Sequence, residues 1–210
     1  MPNKESEILL IRNMMKEGDL QAEIIDKILA FLKNRSVIVL PIDNIFCIAG
    51  ISPTAVKKTS EKLSGLKVPE ICLISSFKML TDLAEYSKSD YDFMNRIWPG
   101  EIKVILKRNG TRNLKKITIR FPISKFLLNI LNQLEVPLYY SDVPAYYRKR
   151  DIVSAYKNHV DLIVIVNELC KKHPLPLMVD ISEQSLKIIN AGKVSAEEIK
   201  SLYFLGKADE

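Results

Sequence analysis

The sequence predicts a single α/β domain built on a mixed sheet of parallel and antiparallel strands. Asp19 is a suitable N-cap for an apolar helical stripe that runs to Leu32, and a two-sided apolar strand follows at residues 37–40. Some later strands are joined by links so short that they require antiparallel neighbours. With 210 residues, of which 47% are hydrophobic, the chain is long enough to bury one core and too short to favour two.

The remaining elements each carry a local signal. Ser52-Pro53 places proline at the first position of a helix, Ser89 and Asp92 have the spacing of a capping box, and so do Ser195 and Glu198. Apolar patterns predict a helix at residues 126–134 and strands at residues 70–74, 102–106, 117–121, 137–140, 162–166, 177–179 and 186–189. Helices and strands that alternate in this way are typical of a largely buried sheet with helices on its faces.

The first residues form a separate prediction. Between residues 6 and 16, Ile8, Ile11 and Met15 follow helical spacing, and Gly18 supplies a C-cap. We therefore predict an extra N-terminal helix at residues 1–18 and a main domain at residues 19–210.

Composition narrows the class of protein. No apolar run approaches the roughly 18 residues of a membrane span, so we expect a cytoplasmic protein without a membrane partner. The three cysteines are scattered and there are only two histidines, so no set of soft ligands has zinc spacing and we expect no metal site. The formal net charge of +6 permits an anionic partner such as RNA, although solvated basic surfaces are also common.

Two polar residues are candidates for contact with a ligand. The seven glycines form no glycine-rich phosphate loop, so any nucleotide site must be assembled from separate strands. Asp43 comes directly after a central strand, at the edge of the sheet where ligand crevices open, although a turn-forming Asp is the simpler interpretation. Arg120 lies within a half-buried strand and needs a partner there, either a carboxylate or a bound phosphate.

A second candidate site is a short aromatic and basic segment. Tyr147, preceded by another tyrosine, is followed by Arg148, Lys149 and Arg150. Adjacent aromatics and cations can stack bases and contact phosphates, as single-stranded RNA sites do. We expect the same ligand to contact basic residues on neighbouring elements, namely Lys107, Arg108, Lys115 and Lys116. A solvated loop leading into a helix is the alternative interpretation.

The order of sequence landmarks resembles the YrdC-like family over nearly the whole chain after the first predicted helix. Pro41 and Asp43 stand where the family has its Pro-Thr-Asp-Thr-x-Tyr-Gly-Leu motif, although both threonines, the tyrosine and the glycine are replaced. Three other landmarks are kept in order, namely Trp-Pro-Gly at residues 98–100, Arg-x-Pro at residues 120–122 and a closing glycine at Gly192. The family's Val-Val-Asp is matched by Met-Val-Asp at residues 178–180.

This resemblance implies a YrdC-like fold and a relation to tRNA modification. The best-known members of the family are threonylcarbamoyl-adenylate synthases, which act from ATP, threonine and bicarbonate toward a modified adenosine in tRNA. The resemblance therefore implies RNA, tRNA or a nucleotide as partner, with ATP and Mg²⁺ as the cofactor to consider. The candidate ligand-binding residues are Asp43, Arg120, Ser141 and Asp142.

Several substrate-handling positions of the family are replaced in this sequence. Its Lys-x-Arg falls on residues 63–65, which are Leu-Ser-Gly, and its Ser-x-Asn falls on residues 142–144, which are Asp-Val-Pro. The serine and threonine of its Pro-Ser-Thr fall on Pro176 and Leu177, and a late arginine falls on Asn190. Losing one group that stabilises developing charge typically costs about 2.7–4 kcal/mol. The sequence therefore favours a nucleotide- or RNA-binding protein without catalytic residues.

Two alternatives stay open. One is an active synthase in which Lys62 and Lys67 replace the missing cations, or a different transfer with Mg²⁺ between Asp43 and Asp142. The other is a scaffold that binds only protein.

Overall fold

A computed structural model describes most of the chain. The described residues are 5–11, 19–42, 45–110, 116–142, 149–166, 176–183, 185–190, 192 and 194–205. Seven helices lie within them: α1 (Asp19–Lys33), α2 (Pro53–Ser64), α3 (Phe77–Leu83), α4 (Lys88–Ile97), α5 (Lys125–Leu134), α6 (Lys149–Tyr156) and α7 (Ala196–Leu205). In this part of the chain, no helix combines the length and the hydropathy needed to span a membrane.

The same described part of the chain contains eleven strands. The first six are β1 (Glu7–Ile11), β2 (Ile38–Ile42), β3 (Ile45–Gly50), β4 (Ile71–Leu73), β5 (Ala84–Glu85) and β6 (Lys103–Arg108). The remaining five are β7 (Lys116–Arg120), β8 (Leu138–Asp142), β9 (Leu162–Val166), β10 (Met178–Asp180) and β11 (Lys187–Asn190). The α/β fold class is confirmed, and nearly all predicted elements after residue 18 appear within a few residues of their predicted bounds. The short elements α3 and β5 were not predicted.

The predicted N-terminal helix is wrong over residues 7–11, which form strand β1. β1 pairs in parallel with β9, from Glu7 beside Leu162 to Ile11 beside Val166. The amide of Glu7 donates to the carbonyl of Asp161 at 3.0 Å, and Ile11 is 4% exposed. Sheet pairing satisfies the backbone and buries Ile11, and a five-residue apolar run cannot distinguish this outcome from a helix by spacing alone. Residues 12–18 lie outside the described residues.

The predicted capping box at Ser89 and Asp92 is also wrong, by two residues. The box of α4 is formed by Ser87 and Asp90: the Ser87 hydroxyl accepts from the Asp90 amide at 3.1 Å, and the Asp90 carboxylate accepts from the Ser87 amide at 3.0 Å. Both pairs have the spacing of a capping box, and the pair that begins at the residue directly before α4 forms it.

The chain divides into two compact units, of which the first comprises Met1–Glu70 and Asn129–His173. Its strands lie in the order β1-β9-β2-β3-β8. β9 is parallel to both of its neighbours, whereas β3 is antiparallel to β2 and to β8. Ile28 and Leu32 of α1 and Ile38 and Leu40 of β2 are fully buried, so the helix that precedes β2 packs its apolar stripe into this unit.

The second unit comprises Ile71–Leu128 and Pro174–Glu210, and one of the chain's boundaries between the two units falls within α5. Its strands lie in the order β4-β7-β6-β10-β11, with β5 paired to β6. β4 with β7 and β6 with β10 are parallel pairs, and the remaining neighbours are antiparallel. Leu80, Phe93 and Ile119 are fully buried within this unit. Each unit thus contains a sheet of mixed orientation, as the sequence predicts.

Candidate functional site

In the first unit, a small cavity lies beside the end of α2. Its volume is about 110 Å³. The residues that line it are Ile48, Ser60, Leu63, Ser64, Leu66, Lys67, Val68, Ser141, Asp142 and Tyr156. We call it the α2 cavity. It is smaller than the roughly 300–1,000 Å³ of pockets that hold drug-sized ligands, so the described walls enclose room for only a few heavy atoms.

Local sequence places the last turn of α2 against this cavity. The Ser52 hydroxyl caps the helix by accepting from the Ala55 amide at 3.4 Å. Gly65 ends it in the left-handed region with φ 69°, and its amide donates to the Glu61 carbonyl at 2.9 Å. Because the helix stops at Ser64, the chain turns at once and brings residues 66–68 to the mouth of the cavity.

Ser60, one of the residues that line the α2 cavity, carries a buried hydroxyl that no described residue satisfies. Ser60 is 4% exposed and lies one turn after the buried Val56 on the inner face of α2. Among the described residues, its hydroxyl oxygen has no hydrogen-bond partner. A buried hydroxyl without a partner typically costs about 1–3 kcal/mol.

Strand β8 sends its two candidate residues to opposite faces of the sheet. Ser141 pairs with Ile48, whereas Asp142 pairs with Cys47. Neighbouring side chains of a strand alternate between faces, and paired residues share one. The Cys47 thiol accordingly donates to the Asp142 carboxylate at a sulfur–oxygen distance of 3.7 Å. Ser141, which is 4% exposed, points with Ile48 toward the α2 side, and the Asp142 carboxylate points with Cys47 to the other side.

Most of the other candidate binding residues of the first unit lie outside the part of the chain that the structure describes. Asp43, Tyr147 and Arg148 lie outside the described residues. Lys149 is the first residue of α6, but its side chain also lies outside the description. The side chain of Arg150 is 76% exposed and lies 3.7 Å from the Asp151 carboxylate, measured from its Nε atom. This cation is therefore solvated, as a phosphate contact requires.

Arg120 lies in the second unit and connects the end of β7 to the Trp-Pro-Gly turn. Its side chain is 1% exposed, and its Nε donates to the Gly100 carbonyl at 3.1 Å. The Gly100 amide in turn donates to the Phe121 carbonyl at 2.8 Å. Within the turn, whose Trp98–Pro99 peptide bond is cis, the Trp98 indole donates to the Ile102 carbonyl at 2.8 Å. We call this set of contacts the Arg120–Gly100 clasp, in which Arg120 acts as an internal strut.

The clasp borders a second and larger cavity. It has a volume of about 290 Å³, at the lower end of the range for small-molecule sites. It is lined by Ile97, Gly100, Glu101, Ile102, Pro176, Leu177 and Val194. We call it the β10 cavity, because Leu177 directly precedes β10. The described residues of its wall are aliphatic or lack a side chain, apart from the exposed Glu101, so it suits an apolar or flat group rather than a phosphate.

Two lysines grouped with the basic segment are engaged by carboxylates. Lys107 forms an ion pair with Glu85 at 2.5 Å. Lys116 lies 2.9 Å from Asp180 and 3.0 Å from Glu183, and these two hydrogen bonds raise the pKa of its ammonium. Burial alone would raise the pKa of Asp180, but its hydrogen bonds from Ser182 and Lys116 outweigh burial and lower it. These lysines are therefore less suited to a phosphate than Arg150.

The family follows from a comparison of the sequence with family models. The model described as "Telomere recombination", named for Sua5, YciO and YrdC, matches residues 30–192. The chain belongs to the Sua5/YciO/YrdC family. A search of curated proteins found no significant match. The YrdC-like resemblance is thus confirmed, and with it a relation to the threonylcarbamoyl-adenylate synthases of this family.

Solved structures of the family share the fold at low sequence identity. A double variant of Sua5 from P. abyssi is 17% identical with a TM-score of 0.78, covering 93% of this chain and 60% of its own. YciO from E. coli is 16% identical with a TM-score of 0.76, covering 92% of this chain and 99% of its own. Full-length HypF in its phosphate- and nucleotide-bound form is 13% identical with a TM-score of 0.65, covering 79% and 28%. The chain therefore spans only 60% of the Sua5 chain and a smaller share of HypF, and these likenesses show the fold alone.

The family positions that the sequence analysis marked as replaced line the two cavities. Leu63, Ser64 and Asp142 border the α2 cavity, while Pro176 and Leu177 border the β10 cavity. Sequence reasoning missed Ser60 and Tyr156, which also line the α2 cavity. Their spacing carried no signal, because a buried serine on a helix and a tyrosine at a helix end resemble ordinary core positions. Only the tertiary structure brings them together.

Proposed function

We propose that this chain is a non-catalytic member of its family that binds a nucleotide or RNA through a base-sized apolar pocket. The observation that carries the proposal is the β10 cavity. Its volume of about 290 Å³ and its aliphatic walls suit a base. Pro176 and Leu177 replace the two hydroxyl side chains that the family places there, and neither can donate a hydrogen bond from its side chain to a phosphate.

Charge in the two cavities favours binding over catalysis. Glu101 adds a carboxylate to the β10 cavity, where it can accept from an amino group of a base and would repel a phosphate. In the α2 cavity, Leu63 and Ser64 stand where the family has a lysine and the intervening residue of Lys-x-Arg. Adenylyl transfer depends on cations aimed at the phosphates, and among the described residues that line the two cavities only Lys67 is cationic.

The protein is therefore expected to form no threonylcarbamoyl-adenylate from ATP, threonine and bicarbonate. With the paired cations lost, at about 2.7–4 kcal/mol each, the rate should fall below detection. The measurement is release of pyrophosphate in the presence of all three substrates, with an active family synthase as positive control. Pyrophosphate that depends on all three substrates would falsify the proposal and support the alternative in which Lys67, at the mouth of the α2 cavity, replaces a missing cation.

Binding of labelled tRNA is expected to weaken steeply with salt. Each phosphate neutralised on a single strand contributes about −0.7 to the slope of log affinity against log salt concentration. Replacing Arg148, Lys149 and Arg150 together should flatten that slope by about two. Replacing Lys107 and Lys116, which already contact carboxylates, is the matched control and should leave the slope nearly unchanged.

A second variant separates base contacts from phosphate contacts. Val194→Phe places a larger side chain at the wall of the β10 cavity and should lower affinity at every salt concentration without changing the slope. Absence of tRNA binding at low salt, or a slope that the triple replacement does not alter, would argue for an ordinary solvated segment at residues 148–150.

A further inference from the structure

Aromatic side chains of the second unit form a connected cluster at the surface. Phe77, the first residue of α3, is at its centre, and its ring centroid lies 4.7 Å from that of Tyr91 and 6.2 Å from that of Phe121. Tyr86 extends the cluster, because its ring stacks beside that of Tyr91 with centroids 6.4 Å apart. We call these four residues the aromatic platform.

The platform is held in place and is partly open to solvent. Tyr91 is 37% exposed, and the other three rings are half-buried. The Tyr86 hydroxyl shares a hydrogen bond of 2.6 Å with the Thr81 hydroxyl, which fixes the outer ring of the cluster. By contrast, Phe93 of the same unit is fully buried against Tyr203. A fixed ring with an accessible face is what base stacking requires, since every base has an aromatic face of its own.

The platform adjoins the β10 cavity through the Trp-Pro-Gly turn. The Trp98 ring contacts that of Phe77, with centroids 6.4 Å apart, and Gly100, two residues later, lines the cavity. The Gly100 amide also donates to the carbonyl of Phe121, a platform residue, at 2.8 Å. The same turn therefore contacts the platform and forms part of the cavity wall. A nucleic acid strand with one base in the cavity can place a neighbouring base on the platform.

The charges around the platform balance one another. Lys78 follows Phe77 on α3, and Lys88 lies one turn before Tyr91 on α4; both lysines are exposed. On each helix an aspartate, Asp82 or Asp92, lies four residues after the lysine, and opposite charges at that spacing are neighbours on a helix surface. The affinity of this surface must therefore come from the rings rather than from net charge.

We propose that the aromatic platform stacks a base of single-stranded RNA beside the base held in the β10 cavity. This inference rests on the proposed function and narrows its ligand from a nucleotide or RNA to a strand of more than one nucleotide. Tyr91 is the principal stacking residue because its ring is the most exposed of the four, and Phe77 and Tyr86 support it. Unpaired bases are commonly bound by aromatic side chains in this way. Proline-rich peptides also dock on aromatic surfaces, but they make no use of an adjacent base-sized cavity.

The test compares a fluorescently labelled adenosine hexanucleotide with AMP on the full chain. Anisotropy measures the affinity for the hexanucleotide, and calorimetry measures that for AMP, whose one base occupies the cavity. Tyr91→Ala should weaken hexanucleotide binding by about fivefold or more, the effect of losing one stacked base, and leave AMP affinity unchanged. Phe204→Ala is the matched control, because Phe204 is 60% exposed on α7 outside the platform and should change neither affinity.

Two further variants distinguish a stacking ring from an apolar contact. Tyr91→Phe keeps the ring and should bind the hexanucleotide as the parent does. Tyr91→Leu keeps an apolar side chain without a flat face and should bind as weakly as Tyr91→Ala. Because the charges around the platform balance, the loss should be equal at low and high salt, in contrast to the triple replacement at residues 148–150.

The outcomes separate this inference from the proposed function. If Val194→Phe weakens AMP binding while Tyr91→Ala leaves hexanucleotide affinity unchanged, the platform binds no base and the proposed function stands. Equal weakening of AMP and the hexanucleotide by Tyr91→Ala would also overturn the inference, because it shows a structural role for that ring. So would labelled decaproline that binds the parent and loses affinity with Tyr91→Ala while the hexanucleotide does not. If neither AMP nor the hexanucleotide binds the parent, both the inference and the proposed function are wrong.

Discussion

Replacing Arg120 with alanine is expected to lower the free energy of unfolding by about 3 kcal/mol or more. Arg120 is 1% exposed, and its Nε donates to the Gly100 carbonyl at 3.1 Å. The substitution removes a hydrogen bond from a charged donor, leaves the buried Gly100 carbonyl without it, and opens a cavity where a long side chain was packed. Chemical denaturation of the variant and the parent measures the difference.

Two further substitutions identify the cause of that loss. Arg120→Met keeps most of the buried volume, so it should recover the packing contribution and still lack the hydrogen bond. Arg150→Ala removes an arginine whose side chain is 76% exposed and should change stability by no more than about 0.5 kcal/mol. If Arg120→Ala unfolds at the same denaturant concentration as the parent, Arg120 does not stabilise the fold. A role in binding a ligand would then be the remaining interpretation.

Much of the fold could be predicted because its signals are local. Asp19 and the apolar stripe after it begin α1, and Ser52-Pro53 begins α2, whose Ser52 cap forms as expected. Local signals fail where two structures satisfy the same pattern. The apolar run of β1 fits a helix and a strand equally, and the choice depends on pairing with β9, whose partner residues are about 150 positions away.

The candidate site was less predictable because it depends on register. Ser141 and Asp142 directly follow the strand predicted at residues 137–140, yet pairing with Ile48 and Cys47 sends them to opposite faces. A shift of one residue would exchange their faces, and nothing local to β8 fixes that register. Pairing decided the role of Lys116 in the same way, because Asp180 and Glu183 contact it from a segment more than 60 residues later.

The resemblance to the family predicts only part of each cavity wall. It pointed to Gly100, Pro176 and Leu177 in the β10 cavity and to Leu63 and Asp142 in the α2 cavity. In the α2 cavity, Ser60 and Tyr156 come from helices that no motif connects. A buried serine becomes informative only when its hydroxyl is found to lack a partner, and that is a property of the packed structure.

Replacing Gly100 with alanine is expected to destabilise the protein by about 3 kcal/mol, the upper end of the usual cost of overpacking. A Cβ atom at this position would overlap the backbone carbonyl oxygen of Ile97, which cannot rotate away as a side chain can. Gly110→Ala is the control: no atom of the described residues lies within 4 Å of an added Cβ, and its φ of +65° adds only the roughly 1–2 kcal/mol of a left-handed residue. Because Gly100 also accepts from Arg120, the double variant Arg120→Ala with Gly100→Ala should lose less stability than the sum of the two single losses. Denaturation of the parent, the two single variants at Arg120 and Gly100, and the double variant measures this coupling. Additive losses would show that the two residues act separately, and a loss at Gly100 no larger than at Gly110 would show that the turn relaxes to accept a methyl group.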